Sequence, residues 1–261
     1  MNLYTETQGQ GPDLVLLHGW GMNAEVWKDI VLALAPHYRV TTVDLPGHGR
    51  SIEGLRDYNL PTLAAQLHKM MPDNAILVGW SLGGQIAVQL ELDNPGFLKQ
   101  LVLVASAPQF TRSDDWPEGI AADVLDSFAG DLRTDFKNTV KRFIAIQAMG
   151  SENAQQLQRT LRERVFLHGN PQIAALEGGL KILHEVNLRP RLHELQCPVL
   201  LISGDHDTLF RPAAAQRNCE LIPHASLTTI KGAGHAPFIS HPTQFLQALI
   251  PFLQTEVHEQ S

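Results

Sequence analysis

Gly79-Trp80-Ser81-Leu82-Gly83, followed by Gly84, carries the strongest chemical signal in the chain. A serine with glycines two residues before and two after it can occupy a sharp strand-to-helix turn. The glycines remove side chains that would clash, and the hydroxyl projects at a helix N-terminus, where backbone N–H groups gather. A serine hydroxyl is a weak nucleophile until a base takes its proton, and the base needs a carboxylate to orient it. Two later loops offer these groups. Gly204-Asp205-His206-Asp207 supplies the acid, with Asp207, three residues past the strand-end Gly204, preferred to Asp205, whose carboxylate reads as a turn cap. Gly234-His235-Ala236-Pro237 supplies the base. The chain has 12 histidines, so His235 is chosen for its position after the last strand, not for its type. The order Ser81, Asp207, His235 suits acyl transfer, which also requires two donors for the oxyanion. The backbone N–H of Leu82 is one. The N–H of Trp20, in His18-Gly19-Trp20-Gly21, is the other, and the Trp20 indole is placed to line the pocket.

These loops need strands to hold them. Strands are expected at Asp13–Leu17, Arg39–Val43, Ala75–Gly79, Leu101–Ala105, Val199–Ser203 and Ser226–Ile230, with a short hairpin (Leu3–Thr7 turning at Gln8-Gly9-Gln10-Gly11) before the first. Four of the strands are continuous apolar runs, as in a parallel sheet covered on both faces. Helices are expected near 24–35, 60–70, 82–93, 212–221 and 242–253, so the pattern predicts an α/β fold with a mostly parallel central sheet flanked by helices. The alternation fails between about Gln109 and Pro190, where helices follow one another without a strand. Core segments 1–108 and 191–261 are therefore expected to flank an inserted helical cap, 109–190. An insertion at a strand's C-terminal end lies where ligands bind in such folds. Within it Phe136, Val140, Phe143, Ile144 and Gln147 share one face at helical spacing.

Composition narrows the class. The chain has 261 residues, 44% apolar and 18% charged, enough for one large domain with a sizeable core, and its net charge of −7 argues against a nucleic-acid binder. Two cysteines, Cys197 and Cys219, cannot build a disulfide framework or a cysteine-rich zinc site, and no metal or cofactor is expected. The N-terminal residues lack the basic start and apolar run of a signal peptide, and the longest uncharged stretch, 74–90, is short for a membrane span, so a cytoplasmic protein is expected. Charge is uneven in the insertion: residues 112–135 carry seven acidic side chains against two basic, and 136–168 carry six basic against two acidic. A basic patch on an acidic protein favours an acidic partner, although a solvated helix face has the same composition. One rival is visible. Gly19-Trp20-Gly21-Met22-Asn23-Ala24 matches a dinucleotide-binding turn, with Asp44 placed as a ribose-binding acid, but that reading leaves Ser81, Asp207 and His235 idle.

Taken together, His18-Gly19, Asp44-Leu-Pro-Gly-His-Gly-Arg-Ser51, Gly79-Trp-Ser-Leu-Gly-Gly84, Asp207 and His235 resemble the α/β-hydrolase superfamily. Serine at 81 sets the chain apart from its haloalkane dehalogenases and epoxide hydrolases, which use aspartate. Leu16 through Trp27, Gly79 through Gly84, Phe136 through Gly150 and His235-Ala-Pro-Phe-Ile-Ser-His-Pro242 are similar to the pimeloyl-[acyl-carrier protein] methyl ester esterases of biotin synthesis. That resemblance implies cleavage of a carrier-bound methyl ester, with an acyl carrier protein as partner; a monomer is expected, although the sequence itself is silent on oligomeric state. The resemblance further implies substrate contacts at Trp20, Ser81, Leu82, Phe143, Ile144, Ala145, Ile146, Gln147 and His235. Arg142 and Arg159 match two carrier-gripping arginines of that family, whereas Asn138 and Gln155 stand where two more are expected. Lys137, Lys141 and Arg162 are the candidates to compensate. A general short-chain esterase or a C–C bond hydrolase of the same fold, and a non-catalytic ligand-binding member, are the alternatives that the sequence leaves open.

Overall fold

The computed structural model describes residues 3–255. Seven strands alternate with helices in the expected way. The strands are β1 (Thr5–Gln8), β2 (Asp13–Leu17), β3 (Arg39–Val43), β4 (Ile76–Trp80), β5 (Gln100–Val104), β6 (Val199–Gly204) and β7 (Ala225–Ile230). The helices are α1 (Lys28–Leu34), α2 (Leu60–His68), α3 (Leu82–Asp93), α4 (Ala122–Leu132), α5 (Phe136–Ala148), α6 (Ala154–Val165), α7 (Ile173–Glu185), α8 (Pro212–Leu221), α9 (Pro237–Ser240) and α10 (Pro242–Leu253). Each of the six strands expected after the hairpin appears within one residue of its predicted bounds. The expected helix at 24–35 divides into a 3-10 turn, Ala24–Trp27, capped by the Asn23 side chain on Glu25 N–H, and then α1.

The sheet order is β1-β3-β2-β4-β5-β6-β7, parallel except for β1. Here the structure corrects the hairpin. β1 does not pair with β2; it passes over to the outer edge of β3, with Thr5 opposite Val43 and Gln8 opposite Val40. The reason lies in β2, whose two edges are taken by β3 and β4. The central strands β4 and β5 are buried along their whole length, which accounts for their unbroken apolar runs.

The direction of chain progress reverses across β2, with β3 on one side and β4 on the other. Ligands bind in this fold class at the C-terminal ends of strands beside such a reversal. Gly19 and Trp20 follow β2 there, and Ser81 follows β4. Helices α4–α7 lie between β5 and β6 in the chain, as the failure of alternation at 109–190 predicts. Among the described residues no helix is long and apolar enough to cross a membrane.

Candidate active site

Ser81 is forced into a backbone conformation that few residues adopt. Its φ of 54° and ψ of −117° lie outside the helix and strand regions, and a non-glycine residue there is strained. Its surroundings demand small neighbours. A Cβ on Gly79 would stand 2.5 Å from the Gly83 carbonyl oxygen, one on Gly83 2.6 Å from the His18 oxygen, and one on Gly84 2.3 Å from Ser106 Oγ. Ser81 is tied on both sides of its turn. Its N–H donates to Val104 O at 3.0 Å, and its carbonyl accepts from Ser106 Oγ at 2.8 Å.

Residues far apart in the chain meet at its hydroxyl. His235 Nε2 lies 3.0 Å from Ser81 Oγ, and His235 Nδ1 lies 2.8 Å from Asp207 Oδ2. The Asp207 carboxylate can only accept, so Nδ1 carries the proton and Nε2 presents its lone pair to the serine. The other Asp207 oxygen accepts from the N–H groups of Leu209 and Phe210 at 2.8 and 2.9 Å, which fixes the carboxylate plane. Ser81, Asp207 and His235 are 3%, 3% and 1% exposed. Asp205 points elsewhere: its Oδ1 accepts from Gly232 N–H at 2.7 Å, the turn-capping part expected of it.

Trp20 and Leu82 are both buried, and among the described residues neither backbone N–H has an acceptor. A Cβ on Gly19 would lie 3.2 Å from Ser81 Cβ, so the Trp20 loop runs directly beside the serine. The Trp20 indole donates to Leu176 O of α7 at 2.8 Å and packs edge-on against Phe143 of α5, 4.6 Å between ring centres. Two helices of the insertion thus close on the serine.

A tight crevice, with too little free space in this conformation for a ligand, opens at Ser81 and is otherwise lined by Phe110, Ile120, Leu125, Phe143, Leu183 and Leu209. Of the stretch 143–147, the structure places Phe143 in this lining and Gln147 against the base, where the Gln147 carbonyl accepts from His235 N–H at 3.1 Å. Ile144, Ala145 and Ile146 are not in the lining, nor are Leu82 and the Trp20 indole, which is engaged with Leu176 and Phe143 instead. Successive helix residues point about 100° apart, so the five consecutive positions cannot all face the serine. The other lining residues carry no sequence motif; they are ordinary apolar residues that only the folded chain gathers. Trp80 is a further addition, its indole donating to His235 O at 2.8 Å.

The cations of α5 and α6 singled out in the sequence are exposed, but two are engaged. Arg142 pairs with Asp131 of α4, and Arg159 pairs with Glu163 one turn along α6. Among the described residues Lys137 and Lys141 have no ion-pair partner, and Arg162 contacts only Gln158. The dinucleotide reading fails on Asp44, which is fully buried. Its two oxygens accept from the N–H of Ala24 at 2.7 Å and of Arg50 at 2.8 Å, so the acid holds its own loop. No cluster of three or more potential metal ligands occurs among the described residues.

Two buried histidines behind the site set its acid tolerance. Burial holds the His18 imidazole below its ordinary value, and burial with the neighbouring His18 takes His48 down to about 3. Both are therefore neutral in the folded state, and below about pH 6.5 only the unfolded chain takes up these protons. Stability is full above that pH and falls as pH drops, with a slope that approaches about 1.4 kcal/mol per pH unit from His48, and His18 acts in the same direction. Urea midpoints measured from pH 7 downward should fall accordingly, and His48→Gln should flatten the slope. A midpoint unchanged to about pH 5 would contradict this account.

Comparison with known proteins agrees with the geometry. Residues 12–242 match the family model for the alpha/beta hydrolase fold. A pimeloyl-[acyl-carrier protein] methyl ester esterase from Aeromonas hydrophila is 48% identical over 254 residues, spanning 97% of this chain and 100% of that protein. One from Pectobacterium atrosepticum is 45% identical, spanning 97% and 98%. Among solved structures, an esterase from Exiguobacterium antarcticum superposes with a TM-score of 0.89 at 25% identity, covering 97% of this chain and 96% of the other. A bromoperoxidase from Bacillus anthracis reaches 0.88 at 24% identity, covering 97% and 95%, a likeness of fold alone. With its strained serine, its histidine and carboxylate in line, and near-full-length similarity to these enzymes, the chain belongs to the α/β hydrolases and, within them, to the pimeloyl-[acyl-carrier protein] methyl ester esterases.

Proposed function

We propose that the chain hydrolyses the methyl ester of pimeloyl-[acyl-carrier protein], releasing methanol and the free carboxylate on the carrier-bound chain, as a step of biotin synthesis. The observation that carries this reading is the Ser81–His235–Asp207 relay opening onto a crevice whose other lining is wholly apolar. A polymethylene chain suits such a lining once the space above Ser81 widens, at about 0.8 kcal/mol for each CH₂ taken from water. His235 Nε2 takes the Ser81 proton as Oγ attacks the ester carbonyl carbon. The N–H groups of Trp20 and Leu82 receive the developing oxyanion, and Asp207 stabilises the imidazolium. The tetrahedral intermediate collapses, His235 returns the proton to the methoxy oxygen, and methanol leaves an acyl-serine. Water, deprotonated by His235, then attacks that acyl group and restores Ser81.

In this reading α4–α7 are a cap. Ser81 is 3% exposed, so an acyl chain tethered to another protein reaches it only when the cap moves. The exposed cations of α5 and α6 are the proposed carrier-facing surface. The internal pairs of Arg142 and Arg159 do not disqualify them, because exposed ion pairs contribute under about 1 kcal/mol and exchange readily. Lys137, Lys141 and Arg162 would add point charges in place of the forked arginines absent at Asn138 and Gln155.

The test is methanol release from methyl pimeloyl-carrier protein at low salt, alongside a small soluble methyl ester. Charge reversal at Arg142 and Arg159 should cut kcat/KM for the carrier-bound ester about tenfold or more, while sparing the small ester. Equal losses on both substrates would remove the cations from carrier recognition. No methanol from the carrier-bound ester, in a protein that still cleaves the small one, would leave a general esterase.

A further inference from the structure

His18 is fully buried, one residue before the oxyanion loop, and the reaction described above gives it no proton to carry. Both ring nitrogens are engaged with backbone. Nδ1 lies 2.8 Å from Gly19 O, and Nε2 accepts from Leu45 N–H at 2.9 Å. The second contact requires a lone pair on Nε2, so Nδ1 carries the hydrogen and donates it to Gly19 O. Leu45 is itself held in place. It follows Asp44, whose carboxylate is anchored to the N–H groups of Ala24 and Arg50.

The Gly19 carbonyl belongs to the same peptide unit as the Trp20 N–H. That unit is planar and trans, so its C=O and N–H point in opposite directions, and fixing one aims the other. Gly19 O also accepts from Met22 N–H at 3.3 Å, across a turn that Gly21 permits with a φ of 68°. We propose that His18 is a positioning residue for the oxyanion: by donating Nδ1–H to Gly19 O, it locks the Gly19–Trp20 peptide with the Trp20 N–H directed at the oxygen that gains charge during attack on Ser81. The donation also polarises the peptide and strengthens its N–H as a donor. This inference rests on the serine-esterase reading and adds a residue that never touches substrate.

The side-chain alternatives separate the two ring contacts. Asparagine places its amide nitrogen near the Nδ1 position and can still donate to Gly19 O. Glutamine reaches the Nε2 position and can accept from Leu45 N–H, but it leaves Gly19 O to Met22 alone. With a small ester, His18→Gln and His18→Leu should lose about 100-fold in kcat with KM little changed, whereas His18→Asn should stay within about tenfold of the parent protein. An isotope-labelled, slowly deacylating cinnamoyl-serine provides a spectroscopic signature. Its carbonyl stretch, lowered by the oxyanion donors, should move to higher frequency in His18→Gln and hold its place in His18→Asn. Equal losses in Asn and Gln, or an unmoved carbonyl stretch alongside a reduced kcat, would overturn the proposal. If the variants do not fold, nitrogen NMR of the parent protein still tests it: the ring must be neutral with its proton on Nδ1 across the active pH range, and an Nε2–H or doubly protonated ring would refute it. A parent protein that neither cleaves esters nor labels at Ser81 would instead remove the esterase reading beneath it.

Discussion

Ser81→Ala is expected to lower ester turnover on the order of a million-fold, by analogy with loss of the nucleophile in other serine hydrolases, and to leave the protein folded. The loss is this large because attack, acyl-enzyme formation and the proton path all pass through one oxygen, 3.0 Å from His235 Nε2. Stability should change by only about 1 kcal/mol, the worth of one hydrogen bond. Alanine has the same Cβ as serine, so the strain at a φ of 54° is unaltered, and the ties from Ser81 N–H to Val104 and from Ser106 to Ser81 O involve backbone atoms that remain. Methanol release, with the thermal midpoint recorded on the same sample, checks both parts. Residual activity above about one per cent of the parent would exclude Ser81 as the nucleophile.

Asp207→Asn should cost about 10⁴-fold in kcat with KM almost unchanged. Asp207 serves two different partners. One oxygen accepts from Leu209 and Phe210, and the other accepts from the His235 ring. An asparagine has a single acceptor oxygen. If that oxygen keeps the two backbone donors, its NH₂ faces His235 Nδ1 and selects the tautomer with the proton on Nε2. Such a histidine cannot take the proton of Ser81. If the amide turns the other way, two buried N–H groups lose their acceptor, at about 1–3 kcal/mol each in stability. The pair of measurements separates these outcomes: a folded, inactive protein marks the wrong tautomer, and a markedly lower thermal midpoint marks the turned amide. Near-parent kcat would show that His235 is oriented by something other than Asp207.

Much of this protein is determined locally, and that part is legible in its sequence. Four strands of the central sheet, β2, β4, β5 and β6, appear as unbroken apolar runs because both their faces are covered, and each run predicts its strand within one residue. The serine turn is written in its glycines, since a Cβ at Gly79, Gly83 or Gly84 would collide with backbone or with Ser106. The choice of Asp207 over Asp205 was likewise within reach, because the position of each in a four-residue loop decides whether its carboxylate meets His235 or caps Gly232.

The tertiary structure decided the rest. It set the partner of β1, because an edge is free or taken only once the other strands have paired. It selected which part of the stretch 143–147 faces the serine, since a helix must be docked before one face becomes the inner one. It gathered Phe110, Ile120, Leu125, Leu183 and Leu209 around Ser81 and gave Arg142 its acidic partner on α4. It also turned His18, a motif residue to which the sequence assigns no role, into a brace between Gly19 and Leu45. The physical reason is common to all of these. Periodicity and turn chemistry act between near neighbours and leave a pattern in the chain, whereas a lining, an ion pair or a brace depends on which surfaces meet, and residues of ordinary type carry no mark of that meeting.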